Sequence, residues 1–201
     1  MKVIEQSHQI FTQEASLAEQ LERCGRTAYE SLDKIKEGSA DAFVRGMVIK
    51  GHLPVLDLAC VHINMELDER CLQALKIYNL EVKEEYKYIF LDYIGKNLSQ
   101  FTYILSGSPR ALTAYVNAMT KIHSKSVALL SLINQISATL INIDPACFSG
   151  VKLYSQEASI PIFIEELTEI QLDTAHEQGA ISDDIYMRHK CIGVSLSLIH
   201  I

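Results

Sequence analysis

The sequence lacks the short motifs that would identify an active site on their own. Its 201 residues contain no glycine-rich phosphate-binding loop, no His-x-x-x-His pair of metal ligands and no Gly-x-Ser-x-Gly nucleophile turn. Internal repeats and low-complexity tracts are also absent. The sequence therefore gives no independent signal for the chemistry of phosphate loops, zinc peptidases or serine hydrolases.

Cysteine pairs of the kind that bind metals or exchange disulfides are missing as well. The cysteines form an odd set with no Cys-x-x-Cys pair, and three of them lie within apolar patterns. They are Cys24, Cys60, Cys71, Cys147 and Cys191. We expect reduced core thiols rather than disulfides or zinc ligands, which points to a cytoplasmic protein.

Basic residues are few and form no stripe. The formal net charge of -7 argues against a protein that binds nucleic acid chiefly by neutralising phosphates. No signal-peptide core follows the N-terminus, and the longest weakly polar run contains Ser131, Asn134 and Gln135, which favours a buried helix over a membrane span. With 48% hydrophobic and 21% charged residues, the chain is expected to form one soluble domain over residues 1–201.

Helical and strand patterns alternate along the chain. Apolar residues recur every three or four positions in the helical segments and every second position in the strands. In the first half, the pattern predicts a short strand at residues 3–4, which the chain leaves over 8–12, and a helix that begins at Ser16. A second helix runs from an N-cap at Ser39 to Gly51. A strand over 60–65 and a mainly helical segment over 68–93 follow. The second half predicts a strand over 101–105, helices from Pro109 and over 127–141, a loop over 147–159, an acidic amphipathic segment over 162–172, a short helix over 183–189 and a half-buried strand over 191–201.

The first candidate for a binding site is the stretch Gly51-His52-Leu53-Pro54-Val55-Leu56-Asp57-Leu58. It follows a helical pattern, so that Gly51 ends the helix and His52 lies in a short turn. An imidazole in that position is accessible to a planar ligand. The alternative is that Gly51 is an ordinary C-cap and His52 is half exposed without a ligand.

The second candidate is Ser106-Gly107-Ser108-Pro109-Arg110. Ser108 suits the N-cap of the next helix, and Pro109 suits its first position because the missing N-H needs no partner there. Arg110 then lies in the first turn, where the helix N-terminus favours anions and a guanidinium adds directed donors for a phosphate. The alternative is a surface arginine with no ligand. His62 is interpreted as a structural side chain, whereas His189 and His200 have no assigned role.

Three separated stretches together resemble the flavin-dependent thymidylate synthases, particularly a longer bacterial branch with an insertion ahead of the catalytic signature. Cys24-Gly25-Arg26-Thr27-Ala28-Tyr29-Glu30-Ser31 is similar to the family's early Gly/Ala-Arg helix segment. Residues 51–58 are similar to Gly-His-x-Ser-Val-Leu-Glu-His, and residues 106–111 to Ser-Gly-Asn-x-Arg-Ala. The order and spacing of the three stretches carry the resemblance, which extends loosely over residues 3–201.

The resemblance implies an α+β fold with a mixed or antiparallel sheet flanked by long helices, assembled as a homotetramer with active sites between subunits. It implies reductive methylation of dUMP to dTMP, with methylenetetrahydrofolate as the methylene donor and a hydride passing from NADPH through a resident FAD. His52 matches the family's flavin-proximal histidine. Arg110 matches the arginine of Ser-Gly-Asn-x-Arg, for which a phosphate-binding or structural role follows. The resemblance assigns no catalytic residue here, and no metal, nucleic acid polymer or membrane is expected as a partner.

The chain departs from the family pattern at its most diagnostic motif. Family members carry Arg-His-Arg-x-x-Ser and then Ser-x-Arg-Tyr, whereas this chain has Arg188-His189-Lys190 with Gly193 at the serine position and no Ser-x-Arg-Tyr after it. We interpret this as a chance near-match. We expect residues 186–201 to form the strand that precedes the true signature, in a chain truncated at its C-terminus.

The Gly-His stretch departs from the family pattern too. Pro54 replaces the family's Ser and removes a hydroxyl, and Leu58 replaces the family's His and removes an imidazole. Asp57 replaces the family's Glu and keeps a carboxylate on a side chain that is shorter by one methylene. Three hypotheses follow. The protein is an enzyme of this family, a non-catalytic derivative that oligomerises or binds nucleotide or flavin, or an unrelated α-rich interaction protein.

Overall fold

The protein folds around one four-stranded antiparallel sheet. The computed structural model describes residues 15–82, 89–97, 100–122, 126–153 and 162–198. In these ranges the strands are β1 (Val61–Leu67), β2 (Ile89–Asn97), β3 (Gln100–Gly107) and β4 (Phe163–Glu166). They lie in the order β2-β3-β1-β4, so β1 and β3 occupy the middle of the sheet. The α+β class and the antiparallel sheet agree with the expectation from sequence.

Helices cover both faces of this sheet. They are α1 (Leu17–Ala28), α2 (Ala40–Ile49), α3 (Glu69–Val82), α4 (Pro109–Ile122), α5 (Val127–Ile143), α6 (Glu169–Glu177) and α7 (Asp183–Leu198), with 3₁₀ turns at Leu32–Lys34 and Leu53–Leu58. The second of these turns, the 53–58 turn, contacts α1, α2, α4 and α7. No helix in the described ranges is long and apolar enough to cross a membrane.

The two faces of the sheet differ because successive side chains of a strand point in opposite directions. On one face, Ile63 and Met65 of β1 are fully buried in the main core, which also contains buried residues of α3, α4 and α5. On the other face, Ile104 packs in a smaller cluster with Leu172 and Ile181, beneath α6 and α7. His62 neighbours Ile63 in β1 and is therefore turned toward the α6 and α7 side.

The local signals for helix starts are confirmed. Ser16 Oγ accepts a hydrogen bond from the Glu19 backbone N-H, and the Glu19 carboxylate accepts one from the Ser16 N-H, which completes a capping box at α1. Ser108 Oγ accepts from the Ala111 N-H at 3.1 Å, and Pro109 is the first residue of α4. The predicted elements that correspond to β1, β3, α1, α2 and α5 lie where the sequence places them.

Residues 89–93, predicted as helical, belong instead to β2. This strand pairs with β3 from Ile89 opposite Gly107 to Asn97 opposite Gln100. Its aromatic and branched residues fit helical and strand periods equally well over so short a length, and pairing with a neighbouring strand decides between the two.

Residues 191–198, predicted as a half-buried strand, are the end of α7. The predicted start of this helix is right, since the Ile185 N-H donates to Ser182 Oγ at 3.4 Å and Asp183 and Asp184 occupy the first turn. Extending an existing helix fixes one residue for each added hydrogen bond, whereas a new strand needs a paired neighbour. The expected strand ahead of a family signature is therefore wrong for residues 186–198.

Two smaller predictions also need correction. Ser39 precedes α2 but does not cap it, because its hydroxyl bonds the Glu22 carboxylate and the Lys36 carbonyl. The acidic segment over 162–172 divides into β4 and the start of α6. The strand predicted at 3–4, its exit at 8–12, His200 and the second half of the loop predicted over 147–159 lie outside the described residues.

Candidate functional site

The early Gly-Arg segment lies directly against the 53–58 turn. A Cβ atom on Gly25 would be 2.7 Å from Phe43 Cζ and 3.2 Å from Val55 Cγ2. Since Cβ atoms essentially never approach other atoms within 3.0 Å, an alanine at position 25 would have to displace the Phe43 ring, and glycine permits the close packing of α1 on α2 and the turn. Two of the three stretches that carry the family resemblance are thus in contact.

Asp57 joins the turn to the start of α4, which supplies the third stretch. Ser108 Oγ donates to Asp57 Oδ1 at 2.7 Å, and a terminal nitrogen of Arg110 donates to Asp57 Oδ2 at 3.0 Å. Ser108 is fully buried and also accepts from the Ala111 N-H. The structure therefore brings residues from all three stretches together at one turn.

The two predicted binding residues are on accessible parts of this region. His52 is exposed and follows Gly51, whose φ of +74° is a conformation that favours glycine. The His52 N-H donates to the Met47 carbonyl at 2.9 Å, which fixes the backbone at the end of α2. Arg110 remains 47% exposed although it pairs with Asp57. Since a 3₁₀ turn rises about 2 Å per residue, His52 and Asp57 are separated by roughly 10 Å along it.

Arg26, the arginine of the early segment, is held within the chain. Its Nε donates to the Glu22 carboxylate at 3.0 Å, and its guanidinium lies 4.9 Å above the Phe43 ring. Its side chain is 18% exposed, against 47% for Arg110. We conclude that Arg26 stabilises the contact between α1 and α2, and that Arg110 is the more accessible of the two cations for an anionic ligand.

A second polar cluster lies between the sheet and α7. Ser106 Oγ is 2.7 Å from His62 Nδ1 and 2.6 Å from His189 Nδ1. These three residues, the histidine–serine bridge, come from β1, β3 and α7 and are between 0% and 4% exposed. Their spacing in the sequence does not indicate that they lie close together. Only the pairing of β1 with β3, which sets His62 opposite Ser106, could have indicated part of the cluster.

An ion pair adjoins the bridge at His189. Asp92 Oδ1 accepts a hydrogen bond from Arg188, and Asp92 Oδ2 lies 3.2 Å from His189 Nε2. This second contact lacks hydrogen-bond geometry, so that both atoms are buried without a hydrogen-bond partner among the described residues. Burial lowers the pKa of His62 to about 4. Burial also lowers the pKa of His189, against the opposite effect of the Asp92 carboxylate, and both imidazoles are neutral near pH 7.

Ser106, His189 and Asp92 are the residue types of a hydrolase triad, but their surroundings do not suit that chemistry. A nucleophilic hydroxyl must be reached by a substrate and activated by one base. Ser106 is completely buried, and its hydroxyl lies between two imidazoles. The cluster is therefore a structural connection between sheet and helix.

Thiol and metal chemistry are not supported in the described part of the chain. Cys24, Cys60, Cys71 and Cys147 are free thiols, and burial raises the pKa of Cys60 and Cys71 to about 12, so that they are protonated near pH 7. No group of three or more His, Cys, Asp or Glu residues in the described ranges is arranged to hold a metal ion.

The 53–58 turn offers different chemistry, namely an exposed imidazole and an exposed guanidinium. A planar ring can stack on the imidazole, and a phosphate can accept hydrogen bonds from the guanidinium. Both side chains lie at the protein surface.

Comparisons of the chain with protein-family models, with curated proteins and with solved structures find no match. The resemblance to the flavin-dependent thymidylate synthases consequently depends on the three stretches themselves. These stretches are far apart in the sequence and lie in contact at the 53–58 turn.

Proposed function

We propose that the protein acts in flavin-dependent thymidylate synthesis, the reductive methylation of dUMP to dTMP. The observation that supports this proposal is the meeting of residues 25, 57 and 110 at one turn, in the order in which the family-like stretches occur. If the three similarities were coincidental, we would not expect the three stretches to lie in contact with one another. The α+β architecture with an antiparallel sheet is of the kind that the resemblance implies.

Arg110 is the proposed anchor for the phosphate of dUMP. Asp57 accepts one hydrogen bond from its guanidinium, which has five N-H donors and remains nearly half exposed. Asp57 thereby orients the guanidinium and leaves donors for a phosphate. The Ser108 hydroxyl holds the other oxygen of Asp57, so the carboxylate itself is fixed.

His52 is the proposed neighbour of the flavin. Bound FAD would supply the hydride that NADPH provides and that converts the transferred methylene group into a methyl group. The chain's own contribution is to present the imidazole from a fixed backbone position at the end of α2. A homotetramer with methylenetetrahydrofolate bound between subunits is part of the same proposal.

A second candidate function is a non-catalytic derivative of this fold that binds flavin or nucleotide. Three observations favour it. Pro54 and Leu58 supply no polar group where the family has Ser and His. Arg188, in the near-match to the family signature, is paired with Asp92 inside the chain. The diagnostic Arg-His-Arg-x-x-Ser motif does not occur in the 201 residues.

The two candidates separate in an assay for dTMP formation from dUMP, methylenetetrahydrofolate, NADPH and FAD. We expect dTMP formation, and we expect Arg110→Ala to raise the KM for dUMP by about 10- to 100-fold, since a hydrogen bond to a charged phosphate contributes about 1.5–3 kcal/mol. Arg70→Ala is the matched control, because Arg70 is also an exposed arginine paired with an aspartate. A folded protein that forms no dTMP but binds dUMP would contradict the enzyme and support the derivative.

A further inference from the structure

The Ser106 hydroxyl imposes a fixed pattern of protons on the histidine–serine bridge. A hydroxyl carries one proton, so it donates to one Nδ1 and accepts from the N-H of the other. With Ser106 Oγ at 2.7 and 2.6 Å from the two Nδ1 atoms, its proton finds an acceptor in the bridge only if one of the two rings is neutral and has an unprotonated Nδ1. If the accepting imidazole is protonated, both rings present an N-H and the hydroxyl proton loses its acceptor.

The charged groups around the bridge differ between its two imidazoles. Asp92 Oδ2 lies 3.2 Å from His189 Nε2, while Asp92 Oδ1 accepts a hydrogen bond from Arg188, so a proton on His189 has a carboxylate beside it. Lys190 and Asp173 face His62, and Lys190 bonds Asp173 at 2.8 Å and contacts Glu169 at 3.4 Å. Among the described residues no carboxylate forms an ion pair with His62 itself, so a proton on this imidazole adds a buried charge without a direct partner.

The bridge connects elements that are distant from one another in the chain. His62 and Ser106 belong to neighbouring strands in the middle of the sheet, whereas His189 belongs to α7. Helix α7 also packs against the 53–58 turn. Separation of α7 from the sheet would therefore uncover the turn that carries Asp57.

We infer that the histidine–serine bridge holds α7 on the sheet at neutral pH and releases it on acidification, before the rest of the protein unfolds. The inference does not depend on the proposed function. Protonation of the accepting ring leaves the Ser106 hydroxyl proton without an acceptor and adds a buried charge inside the contact, whereas the described residues of the main core on the other face of the sheet include no buried histidine. The helix and the sheet face beneath it would separate first.

A single tryptophan at position 90 tests the inference, because the sequence contains no Trp and Phe90 lies 6.4 Å from the His189 ring. In Phe90→Trp protein, we expect the emission maximum to shift reversibly to longer wavelength as the pH falls from 6.5 toward 4, while far-UV circular dichroism retains most of its helical signal. An emission shift that coincides with the complete loss of circular dichroism would overturn the inference, as would no shift above pH 4.

His189→Gln in the Phe90→Trp background removes the imidazole that joins α7 to Ser106 and should abolish the shift or displace it by at least one pH unit. His176→Gln is the comparison, since His176 of α6 also contacts α7, through the exposed Asp183 and the Tyr186 ring, but takes no part in the bridge. An acid shift that is lost in His176→Gln and kept in His189→Gln would contradict the assignment. Should His189→Gln fail to fold, histidine ring-proton NMR of the unmodified protein decides. Two rings that stay neutral below pH 5.5 support the bridge, and normal titration of all rings near pH 6.5 overturns it.

Discussion

Asp57 connects the 53–58 turn to the start of α4, and its replacement by alanine gives the sharpest stability prediction. The carboxylate accepts from Ser108 Oγ at 2.7 Å and from Arg110 at 3.0 Å. A hydrogen bond to a charged acceptor contributes about 1.5–3 kcal/mol, and an ion pair to a half-exposed arginine about 0–1 kcal/mol. Since Ser108 is buried, its hydroxyl proton loses an acceptor that water does not readily replace. We expect Asp57→Ala to lower the free energy of unfolding by about 2–3 kcal/mol.

Asp57→Asn separates the two contributions. The amide oxygen can still accept from Ser108, whereas the charge opposite Arg110 is lost. We expect Asp57→Asn to cost about 1 kcal/mol or less, because the arginine is 47% exposed and solvent screens the pair. The comparison therefore assigns most of the stabilisation to the buried serine contact.

Urea denaturation followed by far-UV circular dichroism measures these differences, provided that unfolding is two-state. Asp33→Ala, in an exposed 3₁₀ turn, is the control and should change the unfolding free energy by less than about 0.5 kcal/mol. A loss below about 0.5 kcal/mol for Asp57→Ala, or equal losses for the alanine and asparagine variants, would refute the assignment.

Three further predictions concern packing, pH and capping. Gly25→Ala should destabilise by about 1–3 kcal/mol in urea denaturation because its Cβ meets Phe43, whereas Gly46→Ala, in an open part of α2, should stabilise by about 0.5–1 kcal/mol. Because burial lowers the pKa of His62 from 6.5 to about 4, the unfolded chain binds a proton over this range and the folded protein does not. The unfolding free energy should therefore fall by up to about 3 kcal/mol between pH 6.5 and 4, and a pH series of His62→Gln should lack most of this slope. Asp144→Ala should cost at least about 3 kcal/mol by thermal or urea denaturation, since its buried carboxylate accepts from the Ala18 N-H in the first turn of α1 and from the N-H groups of Ala146 and Cys147, just after α5. A loss below about 1 kcal/mol would contradict this.

Local chemistry explains which parts of the fold could be predicted from sequence. The starts at Ser16 and Ser108 and the stop at Gly51 depend on side-chain caps and on a positive φ, and these act within four residues of the helix end. The sequence therefore locates them without knowledge of the fold. The same reasoning gave Arg110 its position in the first turn of α4.

Long-range contacts explain what the sequence could not provide. Residues 89–93 became a strand because β3 is their neighbour, and residues 191–198 continued α7 although their apolar residues alternate. The Ser39 hydroxyl bonds Glu22, 17 residues away, rather than capping α2. Each outcome is decided by a partner that is not adjacent in the chain.

The histidine–serine bridge is the strongest case of this kind. His62 and Ser106 are related by strand register, and His189 joins them only because α7 packs on that face. The sequence showed three polar residues without a shared motif. In the sequence, Asp57 was only an aspartate at a position where the family has glutamate. In the structure, its carboxylate accepts hydrogen bonds from both Ser108 and Arg110.

A calorimetric titration of FAD into the 201-residue protein tests the central claim most directly. We predict saturable binding that His52→Ala weakens by at least tenfold, which corresponds to about 1.4 kcal/mol, and that the control His176→Ala leaves unchanged. Circular dichroism of both variants would verify that they are folded. No saturable binding of FAD by the folded protein, or equal affinity in the His52→Ala variant, would contradict a flavin site at the 53–58 turn.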